Sequence, residues 1–165
     1  MNPLRRSFLA LVGALVMSIW LTAGQPATSS EAILSVSGAH PAAVKVDLDL
    51  AALEQMPHHR IATSTPWTDG VSAYEGVLLR DLMKELGITG STVKLTALND
   101  YQIAIPTTDF EQYDVLLAYS RDGEAMPVRD KGPLWVIYPL DDHPELNGQE
   151  THAKMIWQVR RLDVE

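Results

Sequence analysis

The 165-residue chain contains no cysteine. Disulfide staples, thiolate metal ligands and a lipidated N-terminal cysteine are thereby excluded. Basic side chains are scarce as well, with 13 Lys and Arg against 21 Asp and Glu and a formal net charge of −8. Nucleic acid and anionic lipid surfaces are bound through basic patches, so this balance argues against both partners. A bilayer-spanning run of roughly 20 apolar residues is missing too. The five histidines show no His-x-x-x-His or His-x-Asp spacing, which removes the usual sequence support for zinc or iron. Gly-x-Ser-x-Gly, a phosphate-binding loop and a dinucleotide fingerprint are likewise lacking.

What is present begins with an export signal. Arg5 and Arg6 precede an almost unbroken apolar run from Phe8 to Leu21, followed by small residues around Ala23 and Gly24. The run is short for a spanning helix, and its flanks suit a cleaved peptide. Arg5-Arg6-Ser7-Phe8-Leu9 also fits the start of a twin-arginine signal, so general secretion and the twin-arginine route are both open. The expected organisation is a signal peptide over 1–24, a small, polar linker over 25–40 and one domain over 41–165. Setting aside the first thirty residues removes Arg5 and Arg6 and no acid, so 13 basic residues fall to 11 against 21 acidic ones. The remaining chain is long enough to bury its own core.

Local patterns predict a strand-rich α+β domain with few short helices. Val44, Val46 and Leu48 alternate with Lys45, Asp47 and Asp49 as a half-buried strand does. Leu50 to Met56 reads as a short helix stopped by Pro57, and Arg60 to Thr63 as a strand. Leu78, Leu79, Leu82, Met83 and Leu86 recur at helical spacing, with Gly87 where a left-handed cap belongs. Strands are expected over 93–98 and 101–105, and over 114–119 and 124–126 around an Asp122-Gly123 hairpin turn. Further strands are expected over 134–138 and 155–164, with a polar loop over 141–151.

Three loops carry candidate chemistry. Ser64-Thr65-Pro66-Trp67-Thr68-Asp69-Gly70 sets an indole among hydroxyls and one carboxylate, between a Pro and a Gly. A loop Trp is either a core plug or a platform for a flat ligand. Asn99-Asp100-Tyr101 reads as turn chemistry, or as part of a site if it faces Trp67. Arg129 and Lys131, before Gly132-Pro133, are cations on a rigid turn, suited to oxygen atoms or to pairing with neighbours.

In order along the chain, Tyr74-Glu75-Gly76-Val77-Leu78-Leu79-Arg80-Asp81-Leu82, Ala97-Leu98-Asn99-Asp100-Tyr101, Val115-Leu116-Leu117-Ala118-Tyr119 and Lys131-Gly132-Pro133-Leu134 resemble the molybdopterin-binding domain of the sulfite-oxidase family. That resemblance implies a mixed sheet or partial barrel over about residues 44–164. Family members that transfer oxygen atoms hold molybdenum through a cysteine, whose position by spacing falls at or beside Ser64. A serine hydroxyl is a poor substitute for that soft thiolate.

The chain is also similar to small exported proteins of this fold that lack the cysteine, the PruR type, which are likened to pterin sensors acting on membrane-bound cyclic-di-GMP enzymes. The resemblance implies a non-catalytic periplasmic protein with a pterin as ligand, no molybdenum cofactor, and the periplasmic domain of an inner-membrane signalling protein as partner. Ser64, Thr65, Trp67, Asp69, Asn99, Asp100, Tyr101, Arg129, Lys131 and Gly132 are the expected pterin-binding residues. Trp67 would stack on the ring, Asp69 or Asp100 would accept its N–H groups, and Arg129 or Lys131 would meet its carbonyl. The alternative is a molybdopterin-dependent periplasmic oxidoreductase or its accessory subunit.

Overall fold

The computed structural model of the chain describes residues 31–39 and 41–165. The expected signal peptide and the first part of the linker lie outside these residues. The described chain starts on a strand where linker was expected: β1 (Leu34–Gly38) pairs antiparallel with β2 (Val44–Leu48), Val36 facing Val46. Residues 34–38 of the expected linker are therefore strand. Leu34 and Val36 alternate with Ser35 and Ser37, a short period-2 pattern among small polar residues, and both apolar side chains are buried.

Two open five-stranded sheets form the domain. The first has the order β2-β1-β10-β5-β6, where β5 is Thr92–Ala97, β6 is Gln102–Pro106 and β10 is Val159–Val164. It is mixed, because β1 runs parallel to β10 while its other pairs are antiparallel. The second joins β3 (His58–Ser64), β4 (Val71–Leu78), β7 (Leu116–Arg121) and β8 (Glu124–Ala125), with β9 (Trp135–Ile137) on β7. The α+β strand-rich expectation holds: the first sheet is mixed, and among the described residues no closed barrel forms. One core includes Val36, Leu95 and Leu162 of the first sheet and Tyr74, Val77, Leu117 and Val136 of the second.

Helices are short. Asp49 caps α1 (Leu50–Glu54) by accepting the Ala52 N–H at 2.7 Å. In α2 (Leu79–Glu85), Leu79 and Leu82 are buried while Arg80 and Lys84 face solvent. Gly87, at φ 64°, ends it: the Gly87 N–H donates to the Lys84 carbonyl and the Ile88 N–H to that of Met83. That pair of bonds satisfies carbonyls the helix leaves open, and the left-handed turn suits Gly.

Elsewhere the structure corrects the sequence reading. The segment 141–151 contains a single 3-10 turn, Pro144–Leu146, and the start of α4 (Gln149–Lys154). Lys154 of α4 pairs with Glu150 one turn earlier at 2.9 Å, helical spacing hidden within a polar stretch. The expected strand over 155–164 is confined to 159–164, because Gln158 takes φ 54° and interrupts it. A further helix, α3 (Thr107–Gln112), and the strand β4 had not been foreseen.

Candidate ligand-binding site

Trp67 leaves the end of β3 in a turn held by threonines. The Thr65 and Thr68 hydroxyls bond at 2.8 Å, the Trp67 N–H donates to Thr65 Oγ1, and Gly70 takes φ 66°. The turn fixes the indole against three other rings. Trp135 of β9 lies behind it at 6.1 Å, Trp157 stands edge-on at 5.3 Å, and His152 of α4 stands edge-on at 5.9 Å. Trp135 is fully buried and donates its indole N–H to the Met155 carbonyl at 3.0 Å. Tyr74 packs edge-on behind Trp135 at 5.5 Å. Trp67 and Trp157 keep 36% of their surfaces exposed, so these rings are not core plugs.

The exposed edges open into a cleft of about 450 Å³. Three expected residues meet there: Trp67, Asn99 and Tyr101. Asn99 orders its own turn, its side-chain oxygen accepting the Tyr101 N–H at 3.1 Å while Asp100 takes φ 65°. The opposite wall is Gln149, His152 and Ala153 of α4, then Met155, Ile156 and Trp157. His152 is oriented by Nε2, which lies 2.9 Å from Asn147 Oδ1. In the neutral ring, donation from Nε2 leaves Nδ1 as an acceptor. The cleft thus offers flat apolar faces with amide, imidazole and phenol groups, and no carboxylate lines it.

The remaining expected residues stand apart from the cleft lining. Ser64 donates both its N–H, at 2.9 Å, and its hydroxyl, at 2.5 Å, to the Asp141 carboxylate. The Asp141 N–H in turn donates to Thr63 Oγ1, so the end of β3 is clasped to the segment after β9. Thr65 is buried in the Trp67 turn and serves it structurally. Asp69 and Arg129 are exposed, and Asp100 is paired with Arg160. Lys131 packs its ammonium 5.4 Å from the Trp135 ring centroid and pairs with Asp130, whose carboxyl is held below its ordinary range chiefly by that lysine. Gly132 lies against Met126, where a Cβ would come within 1.8 Å of the Met126 carbonyl oxygen.

Sequence reasoning missed Gln149, His152 and Trp157. Gly148 ahead of Gln149-Glu150-Thr151-His152-Ala153-Lys154, with Glu150 and Lys154 four apart, was the available helix signal. Trp157 was absorbed into the expected closing strand. Helix α4 is held over the cleft by a half-buried network: Lys154 donates to Asp109 at 3.1 Å, and the Tyr138 hydroxyl donates to the same carboxylate at 2.8 Å. Burial lowers the Lys154 pKa, but hydrogen bonds to Glu150 and Asp109 outweigh it and raise the group above its ordinary value. Burial, then the Asp109 bond, pushes the Tyr138 phenol up and keeps it a donor.

Two open sheets with an aromatic cleft at one end define an α+β ligand-binding domain. Residues 26–141 match the family model described as the oxidoreductase molybdopterin binding domain, and the chain belongs to that family. The cleft wall from 149 to 157 follows the matched residues. Among solved structures, the sulfane dehydrogenase SoxCD from Paracoccus pantotrophus is similar, with a TM-score of 0.59 and 19% identity. The match covers 79% of this chain and 37% of that chain, and at this identity it establishes the fold alone. A search of curated proteins returns no match.

Proposed function

We propose that this chain is an exported, non-catalytic pterin-binding protein whose cleft between Trp67 and Trp157 takes the bicyclic ring. The observation that carries this reading is the convergence of Trp67, Trp157, His152, Asn99, Tyr101 and Gln149 on one cleft. Its apolar faces suit a flat heterocycle, and its neutral amides suit the donor and acceptor atoms on a pterin edge. Asn99 and Gln149 therefore replace the expected carboxylates as edge readers.

The donor set fits the organic ring but not a thiolate-held metal. The chain has no cysteine, and both donors of Ser64 are committed to Asp141. The further roles, periplasmic location and report of ligand occupancy to a membrane-bound signalling protein such as a cyclic-di-GMP enzyme, rest on the resemblance to the cysteine-less group. In that role, occupied and empty forms would bind the partner with different affinities.

Titration with oxidised and tetrahydro pterins, read by tryptophan fluorescence and melting temperature, tests the reading. The expected result is quenching and a raised Tm, with Trp67→Ala weakening binding about 5- to 150-fold if stacking contributes its usual ~1–3 kcal/mol. No response to any pterin would overturn it. Stoichiometric molybdenum in protein isolated from its native host would overturn the metal-free part.

A further inference from the structure

Where α1 meets β3, β4 and the β7–β8 hairpin, the second sheet carries a cleft that shares no residue with the first. It has a volume of about 350 Å³, and its lining includes Glu54 of α1, His58 of β3, Glu75 of β4, and Tyr119 and Ser120 of β7. Its shape follows from a β-bulge. Glu75 faces Ser120 and Gly76 faces Ala118, so Tyr119 has no opposite residue on β4. Gly76 permits the close approach at this point, because a Cβ there would lie 2.1 Å from the Leu117 carbonyl oxygen. Bulges of this kind re-aim a side chain.

Tyr119 is only 7% exposed, lines the cleft, and its hydroxyl makes no hydrogen bond among the described residues. Burial, then the carboxylates of Glu75 and Glu54, raises its pKa, so it is a neutral phenol facing two negative charges. Glu75 has only a long contact to His58, at 4.0 Å, and Glu54 makes no ion pair among the described residues. A largely buried ring whose unbonded hydroxyl opens into the cleft beside two carboxylates is an incomplete hydrogen-bonding set that a cation bearing N–H donors would complete.

We propose that this cleft binds a primary alkylammonium cation, its three N–H donors shared among Glu75, Glu54 and the Tyr119 hydroxyl. An ammonium has that number of donors and no acceptor. A metal ion is the poorer fit, since among the described residues no group of three or more His, Cys, Asp or Glu is arranged to hold one. The site stands independently of the pterin reading.

Calorimetric titration of the full chain with 1,4-diaminobutane, at fixed ionic strength, tests it. Tetramethylammonium carries the same charge without N–H donors and is expected not to bind. Glu75→Gln is expected to weaken diamine binding about tenfold or more, and Tyr119→Phe about threefold, as loss of a charge-assisted and of an ordinary hydrogen bond predicts. Trp67→Ala is expected to leave diamine binding unchanged. Glu54 is exposed on α1, so Glu54→Gln retains the fold and keeps the test decisive should Tyr119→Phe be unstable. Failure of the diamine to bind would overturn the proposal. So would diamine binding unaffected by either Gln variant, or tetramethylammonium or calcium binding as tightly as the diamine.

Discussion

The two clefts share no lining residue and differ in nearly every physical respect. The Trp67 cleft is walled by aromatic rings, lined by amide, imidazole and phenol groups and built from both sheets and α4. The Glu75 cleft has two carboxylates, a phenol and an imidazole, and it is built from the second sheet and α1. In the first, flat apolar area would supply affinity and a few amides would supply orientation. In the second, affinity would come from charge and a donor count. The lining of the first cleft thus holds no carboxylate, whereas that of the second holds two.

The largest effect that would break this separation is expected at Trp135, which is fully buried behind Trp67. Trp135→Ala removes a core plate and is expected to cost about 3–5 kcal/mol. In thermal melts that corresponds to a fall of roughly 10 °C or more for a domain of this size. Where the variant remains folded, pterin binding should fall with the disordered Trp67 and Trp157 rings, while diamine binding should persist. Equal loss at both clefts would mean that they are coupled through the core.

Much of the frame behind this contrast was legible in the chain. The α2 stripe, the Gly87 cap, the Asp122-Gly123 hairpin and the Asn99-Asp100 turn were readable because each depends on local backbone chemistry. The grouping of Trp67 with Asn99 and Tyr101 was anticipated in part, since two turn motifs at strand ends were considered as one site. The far wall was not. His152 and Trp157 enter through a six-residue helix in a polar stretch and through an interrupted strand, neither of which leaves a strong periodic signal. Arg129 and Lys131 stand apart from the cleft lining for a different reason. Their role depends on which side of Trp135 the turn packs, and spacing along the chain does not encode that.

A smaller effect is expected at Gly76, on the acidic side. A Cβ there would meet the Leu117 carbonyl oxygen at 2.1 Å and the Ala118 Cα at 2.7 Å, both backbone atoms with little room to yield. Gly76→Ala is expected to destabilise by about 1–3 kcal/mol as overpacking does, measured by denaturant unfolding. The push between β4 and β7 would also move Tyr119, so diamine binding should weaken more than pterin binding. The reverse order would show that the bulge serves the aromatic cleft instead.

The smallest effect is expected at Asp122, whose hairpin carries Gly123 into the acidic cleft. Its carboxylate accepts the Ala73 N–H at 2.8 Å, and that bond is the main cause holding its pKa below the ordinary 3.8. Burial opposes that bond, and the Ser72 hydroxyl and the charges of Arg121 and Arg60 act in the same direction as it. A carboxyl with a depressed folded pKa contributes stability that is complete above its unfolded pKa and disappears as the pH falls through its folded one. Asp122→Asn keeps an accepting oxygen but loses the charge, so it should show a small Tm deficit at neutral pH. That deficit should shrink below about pH 4, where the wild-type carboxyl also becomes neutral. A difference that stays constant down to pH 2 would mean that the amide fits the turn poorly for reasons other than charge. The hairpin would then owe its stability to backbone geometry at Asp122 and Gly123, and the negative character of this cleft would rest on Glu54 and Glu75 without it.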